Sequence, residues 1–524
     1  MSFRKMTNVA YILVAALAVG HVCDAYRILV VFPLAGKSHN ILALGVVKAL
    51  LQAGHEVTQI TAFPDKNPIP NLRQIDISGS VDTKHLSKIM NVTSILDGRV
   101  QMGFSSMKAF IEMMNKGLLT DPNLVNFLSD TTQKFDVIVA EWMFTDVYIG
   151  FSYVYDCPFI WLSTIEPHWI ILSLIDENVN PAYVPDSLSN NVPPFNFANR
   201  VKELALQTMG RAFRFFYLDG YQNEQFQKLI GPYFLKRGKS MIHFKAIQYN
   251  ASLVLGNSHV SLGQATRLPQ AYKPIAGYHI DPVVKPLPED LKKLLDNAKN
   301  GLIYFSLGSN LKSKDLPQIL KKDLLEMLGG LKQTVLWKFE EVLPNLPSNI
   351  HIVNWAPQQS ILAHPNCILF ITHGGLLSTT EAVHFGKPII GIPVFGDQFN
   401  NIDRAVRKGF ALRVDLAYDM KDHLRAAIDD ALHNKRYAEK AKELSLIYHD
   451  RPVPPSKELV HWVEHVVKTR GAPHLRSPAL DVPVYQKLYL DLVALILTVL
   501  YVLKKIFVKI CCSKKNIDRK KKKN

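Results

Sequence analysis

From Gly301 onward the chain alternates. GLIYFSLGS, TVLWKFE, NIHIVNW, CILFITHGG, KPIIGIPV and FALRVDL are apolar runs of strand length, with helical patterns between them. Runs that are apolar on both faces and separated by helices imply a parallel sheet covered on both sides. The first half is built the same way. YRILVVF stops at Pro33; Ile41, Leu44, Val47 and Leu51 then recur at helical spacing, Gly54 supplies a stop, and EVTQITA follows as a second strand. That is one βαβ unit, and FDVIVAEWMFTDVYIGFSYVYDCPFIWLS reads as another. The proline-rich HIDPVVKPLP marks a boundary, and NPAYVPDSLSNNVPPFNF reads as an insertion. The expectation is an α/β protein of two doubly wound lobes facing a cleft. Ligands of such sheets bind beyond the carboxyl ends of the strands.

PLAGKSHN, between the first strand and its helix, raises two readings. A phosphate-cradling loop needs Gly-x-x-x-x-Gly-Lys-Ser/Thr, but the first glycine position is Val31, inside a strand. The nucleotide-triphosphatase reading fails there, and Lys37 is left as a solvated turn residue. The second reading takes His39 as a catalytic base, because imidazole titrates in the useful range.

Net charge +16 suggests a nucleic-acid partner until it is located. Residues from Lys504 to the end carry +9 and residues 1–25 carry +1, leaving +6 over the 478 residues between. No basic stripe calls for nucleic acid. Arg4 and Lys5 before VAYILVAALAVG, with CDA ahead of a cut after Ala25, read as a secretory signal. LYLDLVALILTVLYVLKKIFVKICC begins at Leu488 and reads as a membrane span with a cytosolic basic tail, although its uninterrupted apolar part, Leu492–Leu503, covers only twelve residues. Lys521 and Lys522 resemble a dilysine retrieval signal. Cys157 and Cys367 lie too far apart to suggest a disulfide framework. Asn91 and Asn250 open glycosylation sequons.

The decisive stretch is WAPQQSILAHPNCILFITHGGLLSTTEAVHFGKPIIGIPVFGDQFNN, Trp355–Asn401. It closely resembles the signature of the UDP-glycosyltransferases, specifically the membrane-anchored animal enzymes. The signal, GKSHN, FSLGS, VLWKF, the expected C-terminal span and the basic tail fall in the same order, so the resemblance covers nearly the whole chain. It implies the GT-B fold, two Rossmann-like lobes with a C-terminal transmembrane helix, and a UDP-sugar as donor substrate with no cofactor. The residues fit. Trp355 offers a flat face for uracil, and Gln358 could bond a base edge or a ribose hydroxyl. His373-Gly374-Gly375 and the following helix start could receive a diphosphate, since glycines admit close approach and the helix end is positive. Ser309 of FSLGS, Ser378 and Thr379 join that donor set, Glu381 could take the ribose hydroxyls, and Asp397-Gln398 suit sugar hydroxyls. No metal is implied, and Cys367, His364, His373 and His384 match no zinc spacing.

The resemblance makes His39 the general base for the acceptor's hydroxyl and asks for a carboxylate to fix its tautomer. Glu141, directly after a strand, and Asp146, in TDV as in insect members, are the two candidates, with Asp146 preferred. Departures from the family are Leu377, where many relatives have Asn, Lys338, where vertebrate relatives have Arg, and Gly256, where glucuronosyl-transferring relatives carry Arg. UDP-glucose is therefore the expected donor. The acceptor is expected to be a small lipophilic molecule with a hydroxyl, taken up by an apolar lobe of a membrane-bound endoplasmic-reticulum enzyme; its identity, and any homo-oligomer, stay open. The division expected is a signal at 1–25, an acceptor-binding lobe at 26–285, a UDP-sugar-binding lobe at 286–450, a helical return at 451–484, a transmembrane helix at 485–505 and a basic tail at 506–524. The rivals are a sugar-nucleotide epimerase and a catalytically inactive UDP-sugar or lipid-binding membrane protein.

Overall fold

Two parallel sheets organise the protein, whose computed structural model describes residues 25–80, 91–98, 104–177, 179–186, 189, 191–309 and 311–521. The first sheet is built from β1 (Arg27–Phe32), β2 (Glu56–Thr61), β3 (Leu72–Asp76), β4 (Val137–Trp142), β5 (Phe159–Ser163), β6 (Leu253–Gly256) and β7 (Tyr272–Pro274). Its order is β3-β2-β1-β4-β5-β6-β7, with every pairing parallel. The second contains β8 (Leu302–Ser306), β9 (Thr334–Lys338), β10 (Ile350–Val353), β11 (Cys367–Thr372), β12 (Ile389–Gly391) and β13 (Ala411–Arg413). Its order is β10-β9-β8-β11-β12-β13, again parallel.

The apolar runs become strands because helices cover both faces. β4 and β5 are buried along their whole length, as central parallel strands must be. In the second lobe the pleat sends alternate residues to two cores. Ile303, Phe305, Leu369 and Ile371 pack on one face, and Leu302, Tyr304 and Phe370 on the other. KPIIGIPV yields only three strand residues, since Pro388 and Pro393 bracket β12 and supply no ladder N–H.

Two distant segments join the lobes. The helix Pro455–Lys468 buries Leu459, Val463 and Val466 in the core of the first sheet, after the chain has completed the second. Each such side chain contributes roughly 1.5–3 kcal/mol when fully buried. In the other direction Val92, from the first half, is fully buried in the second lobe's core. There Asn91 caps a short helix by accepting from Ser94 N–H at 2.9 Å, whereas the other sequon residue, Asn250, is exposed.

Each sheet reverses its strand order once, between β1 and β4 and between β8 and β11. These are the crevices where open α/β sheets take ligands.

The C-terminal unit, residues 477–524, holds the helix Leu490–Lys521. Among the described residues, no helix is long and apolar enough to cross a membrane. The expected span at 485–505 is not supported. Tyr489, at φ 54°, interrupts the chain before the helix, and Asp491 and Lys504 close the apolar run at twelve residues, against the ~20 that a bilayer requires. Residues 1–24 of the expected signal and Lys522 of the retrieval motif lie outside the described residues.

Candidate active site

The first crevice holds His39 and Glu141. β1 ends at Phe32, the turn through Gly36 is extended, and the helix Lys37–Gln52 carries His39 in its first turn. Glu141 is the penultimate residue of β4, the strand beside β1, and is fully buried. A hydrogen bond joins His39 Nδ1 to Glu141 Oε1. A carboxylate only accepts, so Nδ1 carries the proton and Nε2 has a free lone pair. The His39 side chain is 14% exposed. Burial, the largest influence, opposes its protonation, but the charge and hydrogen bond of Glu141 and the charge of Asp397 outweigh it, and the net pKa is raised above 6.5. Asp397 belongs to the other lobe, so the two halves meet at this imidazole.

Asp146 is elsewhere, which corrects the preference for it. Its carboxylate accepts from Trp142 Nε1 at 2.8 Å, from Gln248 Nε2 at 3.2 Å and from Arg214 Nη2, and its own N–H donates to Gln222 at 2.8 Å. Arg214 comes from a helical run, Phe197 onward, that takes π-type turns at Arg214–Leu218 and Phe226–Ile230. That run is inverted. Phe197, Val201, Leu204, Phe215 and Phe216 are exposed, while Glu203, Gln207, Arg214 and Gln222 turn inward. Asp146 anchors this element; Glu141 faces the histidine.

The second crevice gathers the donor set. His373 follows β11, and Gly308 and Ser309 follow β8. A Cβ at Gly308, where φ is 85°, would lie 2.4 Å from the His373 ring, and one on Gly375 would lie 2.6 Å from Nε2. Glycine is required at both places for the ring to fit. Burial and the Lys338 charge push His373 down to about 4, so it is a neutral hydrogen-bond donor. Gly374, at φ 81°, turns the chain into the helix Leu376–His384, whose first N–H groups have no partner within the helix.

Down this helix Glu381 is buried and accepts from Gln358 Nε2 at 2.5 Å and Gln359 Nε2 at 3.0 Å. Gln358 also donates to Ser378 Oγ at 3.1 Å. Gln358, Ser378 and Glu381 therefore form one pre-set group, and His279, 3.6 Å from Glu381, extends it. The Thr379 hydroxyl donates to Gly375 C=O at 3.1 Å, so it supports the turn. Leu377 packs on the first lobe's core, which explains an apolar residue at the start of this helix.

Trp355 is 51% exposed, and two lysines approach its ring. Lys37 Nζ lies 4.7 Å from the ring centroid and Lys338 Nζ 5.8 Å. Lys37 is thus a cross-lobe contact instead of a solvated turn residue. Asn401 Nδ2 donates to Asp397 at 2.8 Å and to Gly374 C=O at 3.1 Å, tying Asp397 to the Gly374 turn. Gln398 accepts from Val394 and Phe395 N–H, so its carbonyl fixes the loop. Sequence reasoning missed Asn401, Lys37, Gln359 and His279. The repeated Asn-Asn after Asp-Gln, one helical turn on, was the available signal for the first.

Residues 27–524 match the family described as "UDP-glucoronosyl and UDP-glucosyl transferase". UDP-glucosyltransferase 2 of Dactylopius coccus is 33% identical over 475 residues, 90% of each chain. UDP-glucuronosyltransferase 2C1 of Oryctolagus cuniculus is 29% identical over 483 residues, covering 88% of this chain and 93% of its own. Among solved structures, the glycotransferase of kitacinnamycin superposes with a TM-score of 0.55 at 17% identity, over 84% of this chain and 98% of its own. Glycosyltransferase VinC, solved with dTDP, gives 0.53 at 15%, over 84% of this chain and 100% of its own. These two carry the fold alone, a GT-B arrangement of two Rossmann-like lobes. With sequence, sheets and donor crevice in agreement, the chain belongs to the UDP-glucuronosyl and UDP-glucosyl transferase family and is a glycosyltransferase that uses a UDP-sugar.

Proposed function

We propose that the protein moves glucose from UDP-glucose to the hydroxyl of a small, largely apolar acceptor, with inversion at the anomeric carbon. The observation that carries this reading is the His39–Glu141 pair standing within the electrostatic reach of Asp397 across the cleft. His39 Nε2 takes the acceptor's proton as the oxygen forms its bond to the anomeric carbon. The bond from that carbon to the diphosphate breaks, and UDP leaves with the electron pair. Glu141 holds the imidazole tautomer and stabilises the imidazolium. His373 and the N–H groups of the Gly375 turn receive the charge that develops on the diphosphate. An attack opposite the leaving group converts an α-linked donor to a β-glycoside.

Beside Glu141 an aromatic group supports an apolar acceptor. Phe144 lies 5.2 Å from Trp142, 6.5 Å from Phe110 and 6.3 Å from His168, ring to ring. Burial pushes His168 down to about 3, so it adds no charge to that wall.

Gly256 supports glucose as the sugar. A Cβ there would fall 1.8 Å from the Tyr272 hydroxyl, so no long cationic side chain fits without displacing Tyr272. A uronate carboxylate left unpaired in a buried site is costly. Radiolabelled UDP-glucose and UDP-glucuronate, compared at equal concentration with one accepted phenol, should give the higher rate with UDP-glucose. A higher rate with UDP-glucuronate would reject the donor assignment.

A further inference from the structure

Beside Asp397 lies an open recess between the lobes, of whose lining the site described above uses only Asp397 and Asn401. Glu166, Gln264 and Thr266 line it from the first lobe, and Asp397, Asn400 and Arg404 from the second. Glu166 sits just beyond β5, at the carboxyl end of the first sheet, and Arg404 on the helix Gln398–Arg407 that Asp397 precedes. Their side chains, 11% and 19% exposed, approach to 3.9 Å across the cleft. Glu166 Oε1 is buried with no hydrogen-bond partner among the described residues. Gly263 makes room for the other oxygen, since a Cβ there would lie 2.2 Å from Oε2. A carboxylate held this way has one oxygen offset against a guanidinium and one still lacking a donor.

We propose that Glu166 is a donor-specificity residue: its carboxylate pairs through Oε2 with Arg404 across the cleft and offsets that charge, so a neutral hexose is accommodated while a uronate carboxylate finds no free cation in the recess. The argument rests on the UDP-glucose reading and deepens it. A neutral hexose brings no charge that has to be offset in the recess. A uronate presents a second carboxylate, repelled by Glu166 and Asp397 and denied the guanidinium that would hold it.

The groups facing Glu166 are Arg404, Lys408, Asp397 and the Tyr272 hydroxyl of β7. Burial raises Glu166 to about 7, against the pull of Arg404 and Lys408 and with the help of Asp397. Its charge is therefore present above neutrality and lost below it. Discrimination against a uronate donor should weaken as pH falls. Protonation of His39 slows transfer from both donors alike, so it cancels in their ratio.

The test is kcat/KM for UDP-glucuronate relative to UDP-glucose, with one acceptor, in the wild type, Glu166→Gln and Glu166→Gln/Arg404→Gln. Glu166→Gln should raise the ratio by about tenfold or more, the worth of one hydrogen bond to a charged group, and the double variant should return it toward the wild-type value. In the wild type the ratio should rise between about pH 8 and about pH 6 as the carboxylate is neutralised, and this response should vanish in Glu166→Gln; a response that persists would assign it to Asp397 and overturn the proposal. A purely structural Glu166 would lower both rates together and leave the ratio fixed. A fixed ratio in a wild type that prefers UDP-glucose overturns this inference alone, whereas a wild type that prefers UDP-glucuronate overturns it together with the donor reading. If Glu166→Gln fails to fold, the wild-type pH series decides, and a flat ratio overturns the proposal.

Discussion

His39→Ala should lower turnover by roughly 10²–10⁴-fold, the usual loss when a positioned general base is removed, while UDP binds nearly as in the wild type. The split follows from the architecture. His39 stands at the β1–β4 crevice of one sheet, and the turn proposed to receive the diphosphate stands at the β8–β11 crevice of the other. An alcohol is a poor nucleophile near neutrality, so chemistry suffers, but no donor contact of the second lobe is touched. Initial rates at saturating donor and calorimetric UDP titration measure the two effects separately. A parallel loss of rate and UDP affinity would make His39 a structural residue.

Asp146→Asn should act mainly on stability. Its carboxylate is the buried counter-charge of Arg214, whose side chain is 10% exposed. Breaking such a pair from one side costs up to about 3–5 kcal/mol, because the remaining charge stays buried with only Asp219, 3.5 Å from Arg214 Nε, to offset it. The inverted helical run anchored through Arg214 should loosen with it. Urea unfolding of the first 476 residues' transition would show the loss as a lower midpoint. Wild-type stability with abolished turnover would instead return Asp146 to the role of His39's partner.

These two residues show what the sequence could and could not reveal. Both crevices were legible, since YRILVVF, FDVIVAEW and CILFITHGG are continuous apolar runs and PLAGKSHN and HGG end strands where parallel sheets take ligands. The choice between Glu141 and Asp146 was not. Five residues apart, they differ in what reaches them: His39 comes from β1's neighbouring turn, and Arg214 arrives from a helix 68 positions beyond Asp146. A local signal existed, because Glu141 lies at the carboxyl end of a strand in the crevice itself. Lys37 over Trp355 and Glu166 beside Arg404 pair across the cleft, and no local pattern announces a contact between lobes. At the C-terminus the length of the apolar run was readable directly. Its basic tail argued for a span, but twelve residues between Asp491 and Lys504 do not supply one.

The most direct measurement is the pH dependence of kcat/KM in the wild type and in Glu141→Gln. As a base His39 works when neutral, so activity is lost as pH falls through its pKa. Glu141 and Asp397 raise that pKa above 6.5 despite burial, which places the wild-type acid limb above 6.5. Removing the Glu141 charge leaves burial less opposed, so the limb should move to lower pH while the plateau falls. An acid limb at the same pH in both proteins would contradict the pairing of Glu141 with a catalytic His39.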